Sequence, residues 1–298
     1  MQTFDHLITT RPHASIQVFI SDLHLPNFAD FSDGRDYINA NFTADKTYQT
    51  PAPVDELMQA FLRLLDDLLA LPNLKQLFIL GDWFDAWLGD DVYLSLSESA
   101  KRHHPLTPML AILSKLSDKG CQILVMVGNR DFLLGQAFCE IFEGVLIDEP
   151  YDVQIDKMTY RLEHGDALCT DDTAYQRYRK LTRNRWVQKG LLSLSMKRRL
   201  HIADKLRANS QSQNERKSEM IMHVNTESLK DAVKIYDGLI HGHTHRPAVH
   251  KINAEKTRFV LGDWRITSSK TGRKQVEAVI GVGVDNDGFR LVLFNPTT

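Results

Sequence analysis

Five short apolar runs constrain this chain more than anything else in it, because each stops on a residue that a buried strand does not need. IQVFIS ends in Asp22-Leu-His24, LKQLFIL in Gly81-Asp82, QILVMV in Gly128-Asn129-Arg130, the shorter YRLE in His164, and DGLI in His241-Gly-His243-Thr-His245. Runs of this length, rich in β-branched residues and closed by polar residues or glycine, read as buried strands. Between them lie apolar residues at helical spacing: Leu57, Phe61, Leu64, Leu65 and Leu68 within residues 54–71, and a second pattern over 107–119. Strands alternating with helices predict an α/β core. In open α/β sheets, ligands gather at the carboxyl ends of the strands. Residues 248–294 read differently. The pieces TRFVLGD, VEAVIGVG and FRLVLF, separated by turn signals, predict an antiparallel or mixed second sheet.

Taken singly, the five endings are ordinary. Gly81-Asp82 is a turn, a lone His164 is a half-buried histidine, and Gly128-Asn129 with a solvated Arg130 is a loop. Together they supply oxygen and imidazole donors without a thiolate, a set that suits Mn, Fe, Zn or Mg and is large enough for two ions sharing a carboxylate. The three cysteines, Cys121, Cys139 and Cys169, are far apart and form no Cys-x-x-Cys pair. A disulfide framework and a zinc-thiolate site are therefore not expected. The first residues carry no apolar core behind a basic start, and no apolar run reaches the length of a membrane span, so the expected location is the cytoplasm.

Charge is unevenly placed. The chain carries a net −2, yet residues 176–220 hold 13 Lys or Arg against 3 Asp or Glu. Such an excess fits an anionic partner. Residues 173–232 are helical in composition, with an apolar side that includes Trp186, Val187, Leu191, Leu192, Leu194 and Met196. They read as a helical cap inserted into a core made of 1–172 and 233–298, or as an amphipathic helix pair whose apolar face joins that core. A polar, turn-rich stretch over 28–53 reads as a loop.

The motifs DLH, GDWFD, GNRD, HGD and GHTH resemble the signature of the calcineurin-like metallophosphoesterases. That resemblance implies a four-layer αββα sandwich with a two-metal site at the strand ends. It assigns Asp22, His24, Asp82 and His245 to one ion, and Asp82, Asn129, His164 and His243 to the other, with Asp82 bridging. His241 has no ligand role in the pattern and is expected to be structural. Neutral imidazoles and ionised carboxylates are required, so activity is expected to fall in acid. Many members have a histidine where this chain has Arg130. A guanidinium does not release its proton. It cannot protonate an alkoxide, but it suits the charge of a phosphate leaving from a diphosphate. Arg130 and Asn129 are the expected catalytic residues.

Longer strings narrow the resemblance. GDWFDAWLGDD, GNRDFLLG, HGDALCTDD, RANSQSQNERK and HGHTHRPAVH are similar to the UDP-2,3-diacylglucosamine diphosphatase family of lipid A biosynthesis, from about residue 16 to about residue 263. The family implies cleavage of a UDP-linked diacyl sugar to UMP and 2,3-diacylglucosamine 1-phosphate, with Mn²⁺, at the cytoplasmic face of the inner membrane. It implies substrate contacts from Asn129, Arg130, Asp172, Ser210, Asn214, Lys217 and His243, with Arg207 and Tyr175 beside them. Lys197, Arg198 and Arg199 either meet anionic lipid or form a solvated helix end. Two rivals remain: another two-metal phosphodiesterase, nucleotide pyrophosphatase or nuclease, and a non-catalytic binding protein on the same fold. Nucleic acid is not expected as a partner, because the basic stretch has few aromatic platforms beyond Tyr175, Tyr178 and Trp186. The 28–53 insertion and the ends of the chain depart from the family pattern.

Overall fold

The computed structural model describes residues 1–10, 14–26, 56–214, 224–268 and 274–296, so the 28–53 stretch lies outside the described residues. In chain order the strands are β1 (Ile16–Ile20), β2 (Leu74–Leu80), β3 (Gln122–Met126), β4 (Val145–Leu146), β5 (Tyr151–Ile155), β6 (Met158–Glu163), β7 (Gly238–His241), β8 (Ala248–Lys251), β9 (Thr257–Val260), β10 (Arg265–Ser268), β11 (Lys274–Val284) and β12 (Gly288–Phe294). One sheet runs β10-β11-β1-β2-β3-β4, with β12 also paired to β11; the other runs β5-β6-β7-β9-β8. The motif-bearing strands are parallel neighbours within each sheet: β1, β2 and β3 in the first, β6 and β7 in the second. Their carboxyl ends therefore share an edge.

Period-two alternation builds the layers. Along β2, Phe78 and Leu80 enter the cluster between the sheets, with Phe19, Leu124, Val153, Leu162 and Ile240. Leu77 and Ile79 point the other way, into a cluster with Phe61, Leu64 and Leu68 of the helix Glu56–Ala70 and Leu113 of the helix Thr107–Asp118. Both faces of β2 are covered, which is why its run is continuously apolar. Phe19 and Phe78 stack across β1 and β2 with centroids 4.5 Å apart. On the far face of the second sheet, Leu239 packs with Leu229 and Ala232 of the helix Thr226–Ala232. The order helix, sheet, sheet, helix is the expected αββα sandwich. The amino-terminal helix Phe4–Thr10 is part of it, with Phe4 edge-on to Phe294 at 6.2 Å.

One expectation needs correction. The 248–294 strands do not form a sheet of their own. β8 and β9 extend the second sheet, whereas β11 and β12 join the first, with β11 antiparallel to β1. Alternation identifies a strand but carries no information about which edge it pairs with.

Three helices make up most of the basic segment: α1 (Thr173–Thr182), which lies over the strand ends, α2 (Arg185–Leu192), which donates from Gln188 to the Phe132 carbonyl, and α3 (Met196–Asn214), whose Arg199 reaches the Leu88 carbonyl. Asp172 and Asn184 cap the first two by accepting backbone N–H bonds. The last helix of the 173–232 stretch, Thr226–Ala232, returns to the core as its outer layer.

Candidate metal centre

The loops after β1, β2 and β7 hold their donor residues in a costly backbone. Asp22, His24, Asp82, His243 and His245 have φ of 54°, 51°, 51°, 67° and 54°. Left-handed geometry in a residue with a Cβ costs about 1–2 kcal/mol. Strain of this kind clusters where a site demands it. Glycines give the loops room to touch. A Cβ on Gly128 would lie 2.1 Å from Asp82 Oδ1, and one on Gly242 would lie 1.9 Å from Ser21 Oγ and 2.3 Å from Asp22 Oδ2.

Two donor groups result, Asp22 with His24 and His245, and Asp22 with Asp82 and His164, each with donor atoms within 4.8 Å of one another. His24 Nε2 and His245 Nε2 are 3.2 Å apart, and His245 Nε2 is 3.4 Å from Asp22 Oδ1. Asp82 faces both groups, with Oδ2 3.9 Å from His24 Nε2 and Oδ1 3.7 Å from His164 Nε2. Asn129 Oδ1 lies 3.1 Å from His164 Nε2. The His164 ring meets that of His243 at 5.1 Å between centroids. The structure thus brings together all seven residues expected as ligands.

The residues fit a divalent cation. His164 Nδ1 is 3.0 Å from the Leu80 carbonyl, which can only accept, so the proton of the neutral ring sits on Nδ1. In that neutral ring the Nε2 lone pair faces the Asn129 oxygen, and either a proton or a metal ion between them relieves the pair of acceptors. Among the described residues, Asp22 Oδ1 and His24 Nδ1 are buried without a hydrogen-bond partner.

The electrostatics agree. Burial raises the Asp22 pKa, but the close approach of His245 and the fields of His164 and His24 hold it well below the carboxylate range. Burial disfavours a proton on His164, yet Asp82 and Asp22 push its pKa up to about 9. Burial is likewise outweighed at His245, where Asp22 and Asp263 raise it to about 10. At His243, burial and then His164 bring it down to about 4. The field that keeps protons on two of these rings also attracts a metal ion.

Supporting residues hold the donors. Asp131 is fully buried; its Oδ1 accepts from Gly128 N at 2.6 Å and its Oδ2 from Trp83 N at 2.8 Å, tying the Asn129 loop to the Asp82 loop. Asp263 Oδ2 lies 3.3 Å from His245 Nδ1, and its Oδ1 accepts from Arg265 Nε at 2.7 Å. Buried His241 stands outside the donor groups. It accepts from Arg258 Nε at 2.8 Å and its Nδ1 lies 2.8 Å from the Gly242 carbonyl. Asp131, Asp263, Glu149 and Arg179 were not singled out by the sequence reading. Asp131 stands inside the GNRD motif, and Asp263 follows β9 in LGDW with the same Gly-Asp ending that marked Asp82.

The other expected site residues divide. Arg130 donates its backbone N–H to Asp82 Oδ1 at 2.8 Å and holds Nη1 3.8 Å from Asp85 Oδ1. Tyr175 lays its ring on His243 with centroids 6.1 Å apart and donates its hydroxyl to Asp166 at 2.5 Å. Asp172 is buried and its Oδ1 caps α1. Arg207, Ser210 and Asn214 belong to α3, but their side chains, like Lys217 altogether, lie outside the described residues. Arg199 requires correction as a lipid-facing residue. It is 5% exposed, makes a bidentate pair with Asp91 and donates to the Leu88 carbonyl. In the run Lys-Arg-Arg only Lys197 and Arg198 face solvent, since helical periodicity turns the third residue inward.

A two-sheet sandwich with these donors at its strand ends defines a class, and the calcineurin-like phosphoesterase family pattern matches residues 18–247. The chain belongs to the calcineurin-like phosphoesterases, a family of metal-dependent hydrolases. Within it, the chain is 39% identical over 214 residues to a UDP-2,3-diacylglucosamine hydrolase of Marinobacter nauticus, covering 70% of this chain and 83% of that protein. It is 37% identical over 245 residues to a UDP-2,3-diacylglucosamine hydrolase of Pseudomonas fluorescens, covering 80% and 90%. A protein of the same name from Proteus mirabilis is 40% identical over 215 residues, covering 70% and 85%.

Proposed function

We propose that the chain hydrolyses the pyrophosphate bond of UDP-2,3-diacylglucosamine, releasing UMP and 2,3-diacylglucosamine 1-phosphate (lipid X) in lipid A biosynthesis. The observation that carries this reading is the complete donor cluster with Arg130, in place of a proton-donating histidine, at its edge. Relatives named for this substrate support it. Asp22, His24, Asp82 and His245 would hold one divalent ion, and Asp82, Asn129, His164 and His243 the second, Mn²⁺ being the metal expected. Such ions supply Lewis-acid polarisation of a phosphoryl oxygen and lower the pKa of water.

The chain's own residues do the rest. The Arg130 guanidinium neutralises charge on the departing phosphate, a weak base that leaves without a proton. Asn129 orients a phosphoryl oxygen beside it. Asp172, Tyr175, Arg207, Ser210, Asn214 and Lys217 are the proposed contacts to the sugar-phosphate head, together with His243. Of the 173–232 stretch expected as the cap, Thr226–Ala232 packs on the core, so residues 173–214 would act as the cap, with basic residues for the phosphates and apolar ones for the acyl chains.

Among the described residues no helix is long and apolar enough to cross a membrane. Peripheral contact with the cytoplasmic face of the inner membrane is supported by the outer side of the cap. There Trp186 is 79% exposed and Leu181 56% exposed, with Lys189 Nζ 5.3 Å from the Trp186 ring centroid. An exposed tryptophan among lysines and arginines has the amphipathic character of a headgroup-level anchor.

The test is product analysis with purified protein, Mn²⁺ and the UDP-linked lipid in ¹⁸O water. Labelled UMP is expected, from attack at the uridine-side phosphorus. Turnover of bis-p-nitrophenyl phosphate or single-stranded DNA, with the lipid left intact, would keep the metal centre and replace the substrate.

A further inference from the structure

Arg179 sits on cap helix α1, yet its guanidinium is spent in the core. Nε donates to Asp166 Oδ2 at 3.0 Å and Nη2 donates to Glu149 Oε2 at 2.5 Å. The two acceptors flank a metal donor: Asp166 follows His164 by two residues, and Glu149 Oε1 accepts the His164 backbone N–H at 2.6 Å. The Asp166 side chain is 0% exposed and that of Glu149 12%.

Its neighbours along the helix do related things. Tyr175, four residues earlier, donates to the same Asp166 oxygen and covers the His243 ring. Arg183, four residues later, donates to the Val127 carbonyl at 3.0 Å, at the root of the Asn129 loop. Residues four apart share a helix face. One face of α1 therefore meets the anchors of His164, His243 and Asn129. The opposite donors are held by other means: His245 by Asp263, and Asp22 by Ser21 Oγ at 2.7 Å and His243 N at 2.9 Å.

We infer that Arg179 is a positioning residue that couples the seating of the cap to ion binding in the pocket of Asp82, Asn129, His164 and His243. The inference rests on the two-ion reading above. Coupling between two equilibria is reciprocal: a seated α1 tightens that pocket, and an ion in the pocket tightens α1. A field effect alone has the opposite sign, because removing a cation from an acidic cluster strengthens the binding of another cation. The sign therefore separates positioning from simple charge.

The experiment titrates the metal-free full chain with Mn²⁺ by calorimetry and follows hydrogen exchange of the α1 amides with and without metal. The variants are Arg179→Lys, which keeps charge but not the fork, and Arg179→Met. The wild type is expected to bind two ions and gain protection in α1. In both variants one of the two affinities falls about 10–100-fold, as for other residues that orient ligands; the other affinity stays, and the metal-linked protection of α1 is lost. Wild-type affinities in Arg179→Lys, or tighter binding in Arg179→Met, overturn the inference. So does loss of both ions together with the thermal transition, which marks a role in the fold. A wild type that takes up a single ion overturns the two-ion reading instead.

Discussion

The Nε2 atoms of His24 and His245 face each other across 3.2 Å. Two lone pairs at that distance repel, so a proton or a metal ion has to sit between them. Despite burial, Asp22 and Asp263 keep a proton on His245 up to about pH 10, and Asp82 and Asp22 keep one on His164 up to about pH 9. Both values lie above the ordinary histidine range near 6.5. The stability these protonated rings contribute is therefore full below pH ~6.5 and fades as pH rises through 9 and 10. The metal-free chain is expected to lose Tm progressively between pH 7 and 10, while the Mn²⁺-loaded chain loses less. Calorimetry in buffers of different ionisation enthalpy should also show protons released as metal binds at pH 7. Identical pH dependence with and without metal contradicts this.

Gly242 marks a place where space decides. A methyl group there meets Ser21 Oγ and Asp22 Oδ2 at distances no packing tolerates. Gly242→Ala is expected to displace Asp22, cost about 1–3 kcal/mol in denaturant unfolding and lower metal content measured by mass spectrometry. Gly190 lies within α2 and a Cβ there meets nothing within 4 Å. Gly190→Ala serves as the control and should gain about 0.5–1 kcal/mol.

Arg130 is expected to act on turnover and not on metal uptake. Its side chain approaches Asp85, and only its backbone N–H touches the donor Asp82. Arg130→Ala should lower kcat on the order of 10²–10³-fold, the loss typical of one charge-stabilising donor, with metal content unchanged. Arg130→Lys should recover part of the loss, because it keeps charge without the fork. Loss of metal from Arg130→Ala would withdraw the role.

Trp186 and Leu181 project from the cap with nothing covering most of their surface. Co-sedimentation with vesicles containing phosphatidylglycerol should fall several-fold in the Trp186→Ala, Leu181→Ala double variant, with hydrolysis of a detergent-dispersed substrate retained. Equal sedimentation of variant and wild type would remove this face from the membrane reading.

What the sequence revealed follows from locality. Strand ends were legible because β2 and β3 bury both faces, so the first polar residue after each run marks where the strand emerges. The donors were legible for the same reason, since Asp82 and Asn129 stand directly at those points. Asp263 carries the same Gly-Asp mark but lies past the last motif of the family pattern, so the pattern does not point to it. Arg179 carries none. Within a segment holding 13 basic residues it looks like any other, and only the fold shows that it reaches Glu149, 30 positions away. Arg199 misled for the same reason, since its partner Asp91 is 108 positions away. The sheet membership of β11 was invisible too, because antiparallel pairing to β1 joins residues at opposite ends of the chain.

The left-handed turns at Asp22, His24, Asp82, His243 and His245 have a consequence for ancestry. A backbone held in that region is relieved by glycine, or by asparagine, at little steric cost. A lineage that abandoned the chemistry would gain stability from each such replacement and would drift there first. In any descendant of this chain, the identity of those five positions dates the loss of the reaction more sharply than the core, which would persist for as long as the fold had some other use.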